Sequence, residues 1–498
     1  MNLFNKGVKY KILFVASEAA PFVKVGGLGE VMYSLPRALK ELGHDARVMI
    51  PKYGTIDTNE FKLETEYSNL KPVSNASDPH GLFISNILHY KNKNGEIQAY
   101  FLENKEFYEK RANTYGYSDD AIRWALLSKS ALEFLKHSEW APDVIVSSDW
   151  QTGLIPNYLH TEYKDEPTLS NLATVFSIHN LAFQGMFDHH SVSEMDYDAG
   201  QQEIPSFDNP RLLQLNFMRR GVMYADVINT VSPTYAQEIT TPEYGESLND
   251  LLNERRMRLF GILNGVDYES YNPEADPILD HKYSAGTLEK RIENKRLLRK
   301  KFNLPDNNAP LLSIISRLTD QKGFGLLFDT ARPLFKNFDF QLIILGGGDA
   351  GFVDFFRELC KQYPDRVAGH FTFDATLPRL ILGAADIILI PSKYEPSGLT
   401  QLEAMRYGVI PVVRKTGGLA DSVIDYDPGT DMGTGFVFND FDSYAFYGTV
   451  ARSLETYKYP EAWRIFQKRV MKADFSWDRS AREYVNLFDK AISFHKEK

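Results

Sequence analysis

The sequence predicts two doubly wound α/β domains, each with a parallel sheet that presents a ligand-binding edge at the carboxyl ends of its strands. The chain has 498 residues, which favours two domains of roughly 200 to 250 residues each over a single core. Short apolar runs alternate with helical patterns in both halves. The motif Lys-x-Gly-Gly-Leu-x-acid also occurs twice, at residues 24–30 and 415–421, each time between an apolar run and a helical pattern.

The apolar runs are bounded by turn residues, as is typical of buried parallel strands. They lie at residues 11–16, 46–50, 144–146, 173–178, 227–231, 311–315, 341–345, 387–390 and 409–413. The clearest helical patterns lie between them, at residues 30–42, 118–136, 325–335 and 351–362. This alternation predicts a parallel sheet with helices on both faces in each half, and a ligand in the cleft at the strand ends.

The domain boundary is expected near residues 261–267. A stretch rich in Pro, Asn and Asp follows at 271–280, and then a charged helix at 288–301. The last segment, 477–494, has the pattern of an amphipathic helix. The residues alone leave open which domain this helix packs on.

Composition excludes several classes of function. Hydrophobic residues make up 43% of the chain and charged residues 24%, as in a globular protein. The net charge of -10 argues against nucleic-acid binding, which needs a basic face. No apolar run approaches the roughly 20 residues that span a bilayer. The single cysteine, Cys360, excludes an internal disulfide and suits a reducing compartment, so a cytoplasmic location is expected.

Both copies of the glycine motif predict a strand, a glycine turn and a helix. Such a turn leaves backbone N–H groups free at a helix N-terminus, where the helix dipole favours an anion and glycine allows a phosphate or sugar to approach. The candidate binding residues of the two turns are Lys24, Gly26 and Gly27, and Thr416, Gly417 and Gly418.

Arg317 and Lys322 follow the strand at 311–315. Two cations at a strand end can converge on a diphosphate, the arginine as a fork and the lysine as a point charge. Ordinary surface charges in a solvated loop are the alternative. The neighbouring glycine turns favour the diphosphate.

Glu395 lies between the strand at 387–390 and the helical run at 402–407. The N–H groups of Gly398, Leu399 and Thr400 are predicted to point at an anion, while the carboxylate grips sugar hydroxyls. The alternative is that Glu395 only complements the dipole of the helix that follows.

Polar residues also follow two strands of the first half. His179 and Asn180 come after residues 173–178 and offer a ring donor and an amide where a hexose could lie, although a lone histidine is more often structural. Asp149 follows residues 144–146 and could accept from a sugar hydroxyl. For its neighbour Trp150 we favour a place in the core.

A dinucleotide-dependent oxidoreductase is a real alternative. Residues 346–351 fit G-x-G-x-x-G after a strand. That interpretation leaves the paired glycine turns and the two cations without a role. The isolated pair His189-His190 lacks further metal ligands, so we predict no catalytic metal and no cofactor. The polar region 188–210 is interpreted as a mobile loop.

Six segments resemble the bacterial-type glycogen and starch synthases, in order and over nearly the whole chain: residues 24–28, 179–185, 262–267, 316–323, 395–401 and 415–421. The resemblance implies a GT-B fold, in which two Rossmann-like domains face an interdomain cleft. It implies an N-terminal acceptor-side domain at 1–260 and a C-terminal nucleotide-sugar-binding domain at 261–471. The final helix, within 472–498, would pack back on the first domain.

The resemblance also implies the reaction: glucose passes with retention from ADP-glucose to the non-reducing end of an α-1,4-glucan such as glycogen. Family roles then fall on catalytic residues Glu395, Arg317, Lys322, His179 and Asp149. They also fall on donor-binding residues Lys24, Gly26, Gly27, Asn180, Asn264, Gly398, Leu399, Thr400, Thr416, Gly417 and Gly418. UDP-glucose as donor, another acceptor, and a non-catalytic binder of nucleotide sugar or glucan remain alternatives, and the oligomeric state stays open.

The chain departs from the family pattern at a few positions. The family commonly has Thr, Asp, His, His and Cys where this chain has Val25, Glu30, Ser148, Gln151 and Ser397. The departures at Ser148 and Gln151 imply different acceptor contacts near Asp149.

Overall fold

The computed structural model describes residues 8–74, 76–91, 97–187 and 203–497. The chain divides into two compact units. The first unit comprises Met1–Val231, Ala236–Ile262 and Trp477–Lys498, and the second comprises Ser232–Tyr235 and Leu263–Ser476. Each is described by itself below.

The first unit is built on a sheet that has nine strands within the described ranges, in the order β3-β4-β5-β2-β1-β6-β7-β8-β9. The pairs β3–β4 and β4–β5 are antiparallel and the others are parallel. The strands are β1 Lys11–Val15, β2 Asp45–Pro51, β3 Glu64–Leu70, β4 Ser85–Tyr90, β5 Gln98–Glu103, β6 Val144–Ser148, β7 Ala173–Ile178, β8 Val227–Thr230 and β9 Leu259–Gly261.

The helices of this part of the chain are α1 Gly27–Glu41, α2 Asp120–His137, α3 Leu154–His160, α4 Phe217–Tyr224, α5 Pro233–Glu238, α6 Asn249–Glu254 and α15 Trp477–Lys496. The apolar face of the final helix, α15, packs on the core of the first unit. Trp477, Tyr484 and Phe488 of α15 are buried in the core of the first unit, and the Tyr484 hydroxyl accepts a hydrogen bond from Asn229 Nδ2 at 3.0 Å.

The second unit has a sheet of six parallel strands among its described residues, in the order β12-β11-β10-β13-β14-β15. The strands are β10 Leu311–Ile315, β11 Gln341–Leu345, β12 Val367–His370, β13 Ile387–Ile390, β14 Ile410–Arg414 and β15 Phe436–Phe438. The helices are α7 Arg291–Lys301, α8 Leu326–Asn337, α9 Ala350–Gln362, α10 Leu377–Leu382, α11 Thr400–Arg406, α12 Gly417–Ser422, α13 Ser443–Tyr457 and α14 Pro460–Lys472.

The predicted class of two α/β domains with largely parallel sheets is confirmed. The central strands are continuous apolar runs because helices cover both faces; β6, β7 and β11 are buried along their whole length. Six of the described strands were not predicted from the sequence: β3, β4, β5 and β9 of the first sheet, and β12 and β15 of the second. β3 is polar and mostly exposed, so it carries no apolar alternation.

The parallel registers place several strand ends at one edge of each sheet. In the first unit Val15 pairs with Ser147 and Ser148 pairs with Ser177, so the segments after β1, β6 and β7 are neighbours. In the second unit the segments after β11, β10, β13 and β14 are neighbours in the same way. Among the described helices, none is long and apolar enough to cross a membrane.

Candidate active site

The second unit brings Lys322 and Glu395 together in an ion pair. Lys322 Nζ lies 3.0 Å from Glu395 Oε1 and 2.7 Å from Oε2, and the Ser392 hydroxyl donates to Oε2 at 2.9 Å. The side chains of Lys322 and Glu395 are only 18% and 10% exposed. Glu395 is therefore a buried, hydrogen-bonded carboxylate rather than a solvated residue that leads into a helix.

Two neighbouring loops create this pair. Lys322 lies after β10 and Glu395 after β13, and these strands are hydrogen-bonded to each other. The Lys393 N–H donates to the Gln321 carbonyl at 2.9 Å and so ties the loops together. Gly323 has φ +72°, and a Cβ there would stand 1.9 Å from the Pro391 carbonyl oxygen. The close approach of the loops thus requires glycine at position 323.

Arg317 lies on the same sheet edge as the ion pair but is exposed. Within the described residues its guanidinium makes no hydrogen bond or ion pair, so its five N–H donors are available. The loop that carries it passes against the glycines after β11. A Cβ on Gly346 would stand 1.7 Å from the Ser316 carbonyl oxygen, and one on Gly348 would stand 2.3 Å from that of Leu318. The G-x-G-x-x-G pattern therefore accommodates the Arg317 loop.

The second glycine turn packs directly on the loop of Glu395. The Gly418 N–H donates to the Glu395 carbonyl at 3.0 Å. A Cβ on Gly417 would stand 2.0 Å from that same oxygen, and one on Gly418 would stand 1.8 Å from the Ser397 carbonyl oxygen. Thr416, just before α12, is fully buried. The glycines of this turn thus allow two backbone segments to touch. The sequence predicted free N–H groups in this turn, but that of Gly418 is bonded within the chain.

The segment before α11 leaves backbone donors available. The N–H groups of Gly398, Leu399 and Thr400 donate no hydrogen bond to another described residue. Gly398 has φ +64°, a left-handed conformation that glycine adopts readily. The Gln401 side chain fixes the turn, because its Nε2 donates to the Gly398 carbonyl at 2.7 Å.

Asn264 lies near the start of the main segment of the second unit, just after β9. It is 5% exposed, and its Oδ1 has no hydrogen-bond partner among the described residues. A buried amide oxygen is normally paired, so this Oδ1 offers an acceptor position to a hydroxyl or N–H donor.

In the first unit Asp149 and His179 meet at the adjacent ends of β6 and β7. Asp149 Oδ1 accepts hydrogen bonds from the His179 N–H at 2.7 Å and the Asn180 N–H at 3.4 Å. The ring Nε2 of His179 lies 3.3 Å from Ser177 Oγ. Asp149 has φ +56° and ψ -177°, a strained conformation for a residue with a side chain. The surrounding hydrogen bonds hold it there.

Burial shifts the pKa values of both side chains. It raises the pKa of Asp149 to about 7, although the two backbone N–H groups oppose this shift. Burial also lowers the pKa of His179 to about 4, with a small opposing effect of Glu18. At neutral pH the imidazole is therefore uncharged, and the carboxyl titrates near neutrality.

The first glycine turn is held by a residue that the sequence analysis missed. The buried Glu18 accepts from the N–H groups of Val25, Gly26 and Gly29, so these groups are not free for a ligand. Of the described N–H groups in the turn, those of Gly27 and Leu28 have no intramolecular partner. Lys24 Nζ pairs with Glu30 Oε2 at 2.6 Å, so the longer acid at position 30 still reaches Lys24.

Sequence reasoning missed Ser392 as well as Glu18. The one available signal was position, since Glu18 and Ser392 each closely follow a strand end. Trp150 packs with Phe187 and Phe217, at ring distances of 5.6 and 6.3 Å, as expected for a core residue.

Ser148 and Gln151 flank Asp149 and Trp150 in the chain. Both are buried, and Ser148 Oγ and Gln151 Oε1 have no hydrogen-bond partner among the described residues.

No group of three or more potential metal ligands occurs in the described part of the chain. His189 and His190 lie outside the described residues, as does the part of the predicted loop from 188 to 202.

Comparisons with known proteins agree along the chain. A model of the starch synthase catalytic domain matches residues 11–254, and a model of glycosyl transferases group 1 matches residues 294–469. A glycogen synthase of Desulforudis audaxviator is 40% identical and covers 97% of this chain and 96% of its own length. One from Clostridium perfringens is 41% identical over 97% and 98% of the two chains.

A solved structure is also similar over its whole length. The catalytic domain of starch synthase IV from Arabidopsis thaliana, bound to ADP and acarbose, has a TM-score of 0.83 and 32% identity and covers 98% of this chain and all of its own. The architecture is thus that of the GT-B glycosyltransferases, and the oxidoreductase alternative is wrong.

Proposed function

We propose, since the chain belongs to the glycogen and starch synthase family, that it transfers glucose from ADP-glucose to the non-reducing 4-hydroxyl of an α-1,4-glucan, with retention at the anomeric carbon. The chain is a glycosyltransferase of glycogen or starch synthesis. ADP and acarbose in the Arabidopsis relative support an adenine nucleotide sugar as donor and a glucan as acceptor. UDP-glucose is the alternative donor.

The observation that carries this proposal is the arrangement of Arg317, Lys322 and Glu395 on one sheet edge. Departure of a nucleoside diphosphate from glucose leaves negative charge on the phosphate and positive charge on the sugar ring. Fixed cations aimed at the phosphate therefore stabilise the transition state most directly. We assign this role to Arg317, whose guanidinium has no partner in the described chain, and to Lys322.

The pairing of Lys322 with Glu395 limits how each can act. A lysine ammonium has three N–H donors and no acceptor; two directions are used by Glu395, so one remains for a phosphate oxygen. Glu395 Oε2 already accepts from Lys322 and Ser392, whereas Oε1 accepts only from Lys322. We assign the open acceptor position on Oε1 to a glucose hydroxyl.

Backbone donors complete the proposed phosphate site. The N–H groups of Gly398, Leu399 and Thr400 have no described partner and can bind phosphate oxygens beside the two cations. Thr416, Gly417 and Gly418 act mainly by shaping the loop of Glu395. We assign the Oδ1 of Asn264, which has no hydrogen-bond partner among the described residues, to a hydroxyl of the sugar or of the ribose.

In the first unit we assign His179, Asn180 and Asp149 to hydroxyl groups of the sugars. A neutral imidazole can donate or accept a hydrogen bond without repelling the positive charge that develops on the ring. Asp149, with its pKa raised to about 7, can accept a proton from a hydroxyl at neutral pH. Lys24 and the N–H of Gly27 contact the donor, and Gly26 acts through its bond to Glu18.

The chain's own residues bind, orient and neutralise charge, and we name no covalent nucleophile. If the acceptor hydroxyl attacks on the face that the diphosphate leaves, no covalent glucosyl-enzyme intermediate is required. Cytoplasmic location stays a prediction from the cysteine count.

The test incubates purified protein with glycogen and radiolabelled ADP-glucose or UDP-glucose, without added metal, and counts label in precipitated glucan. We expect incorporation from ADP-glucose above UDP-glucose. Arg317→Ala should abolish most of it, whereas Arg296→Ala, an exposed arginine of α7, should not. Higher incorporation from UDP-glucose would show that UDP-glucose, and not ADP-glucose, is the donor. Donor binding without incorporation would reject the glucan as acceptor, and absence of donor binding would reject the proposed function.

A further inference from the structure

The carboxylate of Glu18 fills the first glycine turn as a built-in anion. The residue is 1% exposed and lies in the loop after β1. Its Oε2 accepts from the Val25 N–H at 2.5 Å, its Oε1 accepts from the Gly29 N–H at 2.9 Å, and the Gly26 N lies 3.1 and 3.2 Å from the two oxygens. Within the described residues Glu18 forms no ion pair with a lysine or arginine. Its charge is therefore balanced by backbone N–H groups alone.

The geometry requires a carboxylate and not merely a polar side chain. Each oxygen of Glu18 faces two backbone N–H groups. Glutamine has one carbonyl oxygen, and its NH₂ group would point at N–H donors whichever way the amide is turned. A neutral isostere at position 18 thus leaves at least one of the backbone N–H groups of Val25 and Gly29 without its acceptor.

The turn that Glu18 fixes carries two groups assigned to the donor. The backbone and side chain of Lys24 lie against α1, since a Cβ on Gly29 would stand 3.2 to 3.3 Å from Lys24 atoms. The N–H of Gly27, between the residues bound to Glu18, has no described partner. The conformation of the turn therefore decides where Lys24 Nζ and the Gly27 N–H are presented.

We propose that Glu18 is a positioning residue for the nucleotide-sugar donor. It holds the turn in the shape that presents Lys24 and Gly27, and it reserves the N–H groups of Val25, Gly26 and Gly29 so that a donor phosphate does not bind there. The negative charge of Glu18 also repels a phosphate that approaches these groups. This inference rests on the proposed function, because the presented groups matter only if a nucleotide sugar binds.

The first test compares Glu18→Gln with Asp78→Asn, a matched control in the first unit. Asp78 also accepts from two backbone N–H groups, those of Leu82 and Phe83, at 2.8 and 2.9 Å, but in the loop between β3 and β4, which β5 and β2 separate from β1 in the sheet. We expect E18Q to raise the donor KM about tenfold to a hundredfold, from the unpaired donor it creates, with the KM for glycogen unchanged. D78N should change neither KM. A purely structural role would lower the folded fraction and hence apparent kcat, without changing either KM.

The second test uses Glu18→Ala with added acetate, acetamide or chloride. Acetate supplies a small carboxylate to the vacated N–H groups, so it should lower the donor KM of E18A while leaving the wild type unchanged. Acetamide has the same size as acetate but no charge, and it should not lower the donor KM of E18A. Chloride at equal ionic strength should not lower it either. Equal rescue by acetamide would overturn the need for an anion, and an unchanged donor KM in folded E18Q would overturn the positioning role.

Calorimetric binding of ADP-glucose separates this inference from the proposed reaction. If the wild type binds donor but transfers no glucose, the reaction fails while weaker binding by E18Q still supports the role of Glu18. If E18Q binds donor as tightly as the wild type, the role of Glu18 is rejected whether or not transfer occurs. Thermal unfolding of each variant establishes that it is folded. If E18A does not fold, the donor KM of Glu18→Asp, which keeps the charge on a shorter side chain, replaces the acetate rescue: it should lie below that of E18Q, and a donor KM equal to that of E18Q would overturn the need for an anion.

Discussion

Replacing Lys322 by alanine is expected to damage stability and catalysis through two separate effects. In the native protein Lys322 Nζ lies 3.0 and 2.7 Å from the two oxygens of Glu395, and the side chains are 18% and 10% exposed. K322A leaves the Glu395 carboxylate with only the Ser392 hydroxyl among these partners. The free energy of unfolding should fall by about 1 to 3 kcal/mol, as for a buried polar group that loses its partner.

The catalytic effect has a different origin. Lys322 is proposed to offer one N–H donor to the leaving phosphate, and removing one such donor from a preorganised site costs about 2.7 to 4 kcal/mol of transition-state stabilisation. The value of kcat at saturating donor should therefore fall about 100- to 1,000-fold. Initial rates of glucose incorporation measure this effect, and urea unfolding measures the loss of stability.

The double variant K322A/E395Q separates the two effects. Neutralising Glu395 removes the unpaired buried charge, so much of the lost stability should return. Activity should stay low because both the cation and the sugar-binding carboxylate are absent. The reasoning is refuted if K322A keeps kcat within threefold of the wild type, or if the double variant recovers activity together with stability.

Three further outcomes are expected. The pKa of Asp149 is about 7 in the folded chain against an ordinary 3.8. Between these values the native state retains a proton that the unfolded state releases. The stability that protonated Asp149 contributes is therefore complete below about pH 4 and is lost as pH rises through 7. Urea unfolding at about pH 5 and pH 8 should show wild type losing stability relative to Asp149→Asn, and the rate of transfer should rise through pH 7 in wild type without that inflection in D149N. Gly346→Ala places a Cβ 1.7 Å from the Ser316 carbonyl oxygen and should destabilise the chain by about 1 to 3 kcal/mol. Gly351→Ala should not, because a Cβ there has no other atom within 4 Å. Equal melting temperatures of the two variants would contradict this account. Lys295→Met breaks the ion pair with Asp386, in which the two charged groups are 2.6 Å apart and the side chains are 6% and 9% exposed. The free energy of unfolding should fall by about 3 to 5 kcal/mol, while the KM values for donor and glycogen stay unchanged. A changed donor KM would contradict a purely structural role.

Much of the fold follows from local sequence. The runs at 311–315 and 341–345 coincide with β10 and β11, because a strand covered on both faces must be apolar along its length. The edge strand β3 has mostly exposed, polar residues, and it pairs with β4 through an irregular register across a single loop. No local pattern could therefore indicate it.

The candidate site was only partly open to prediction. Arg317, Glu395, Asp149 and His179 each stand at the end of a predicted strand, so their place on a sheet edge follows from parallel topology. The state of each group does not follow from position. The raised pKa of Asp149 depends on burial and on two N–H groups from the next strand end.

The sequence by itself determined the α/β class, the places of the buried apolar strands along the chain, and which side chains follow each of those strands, because these depend on residues close together in the chain. Only the tertiary structure decided that Glu18 occupies the first glycine turn and that Lys322 pairs with Glu395. The Lys322 pair joins the loops after β10 and β13, at 2.7 to 3.0 Å. Glu18 instead accepts, at 2.5 to 3.2 Å, from N–H groups seven to eleven residues further along the same connection between β1 and α1. Hydrogen bonds of this length depend on the exact path that each loop takes between its strand and its helix, and residue type and spacing alone do not specify that path.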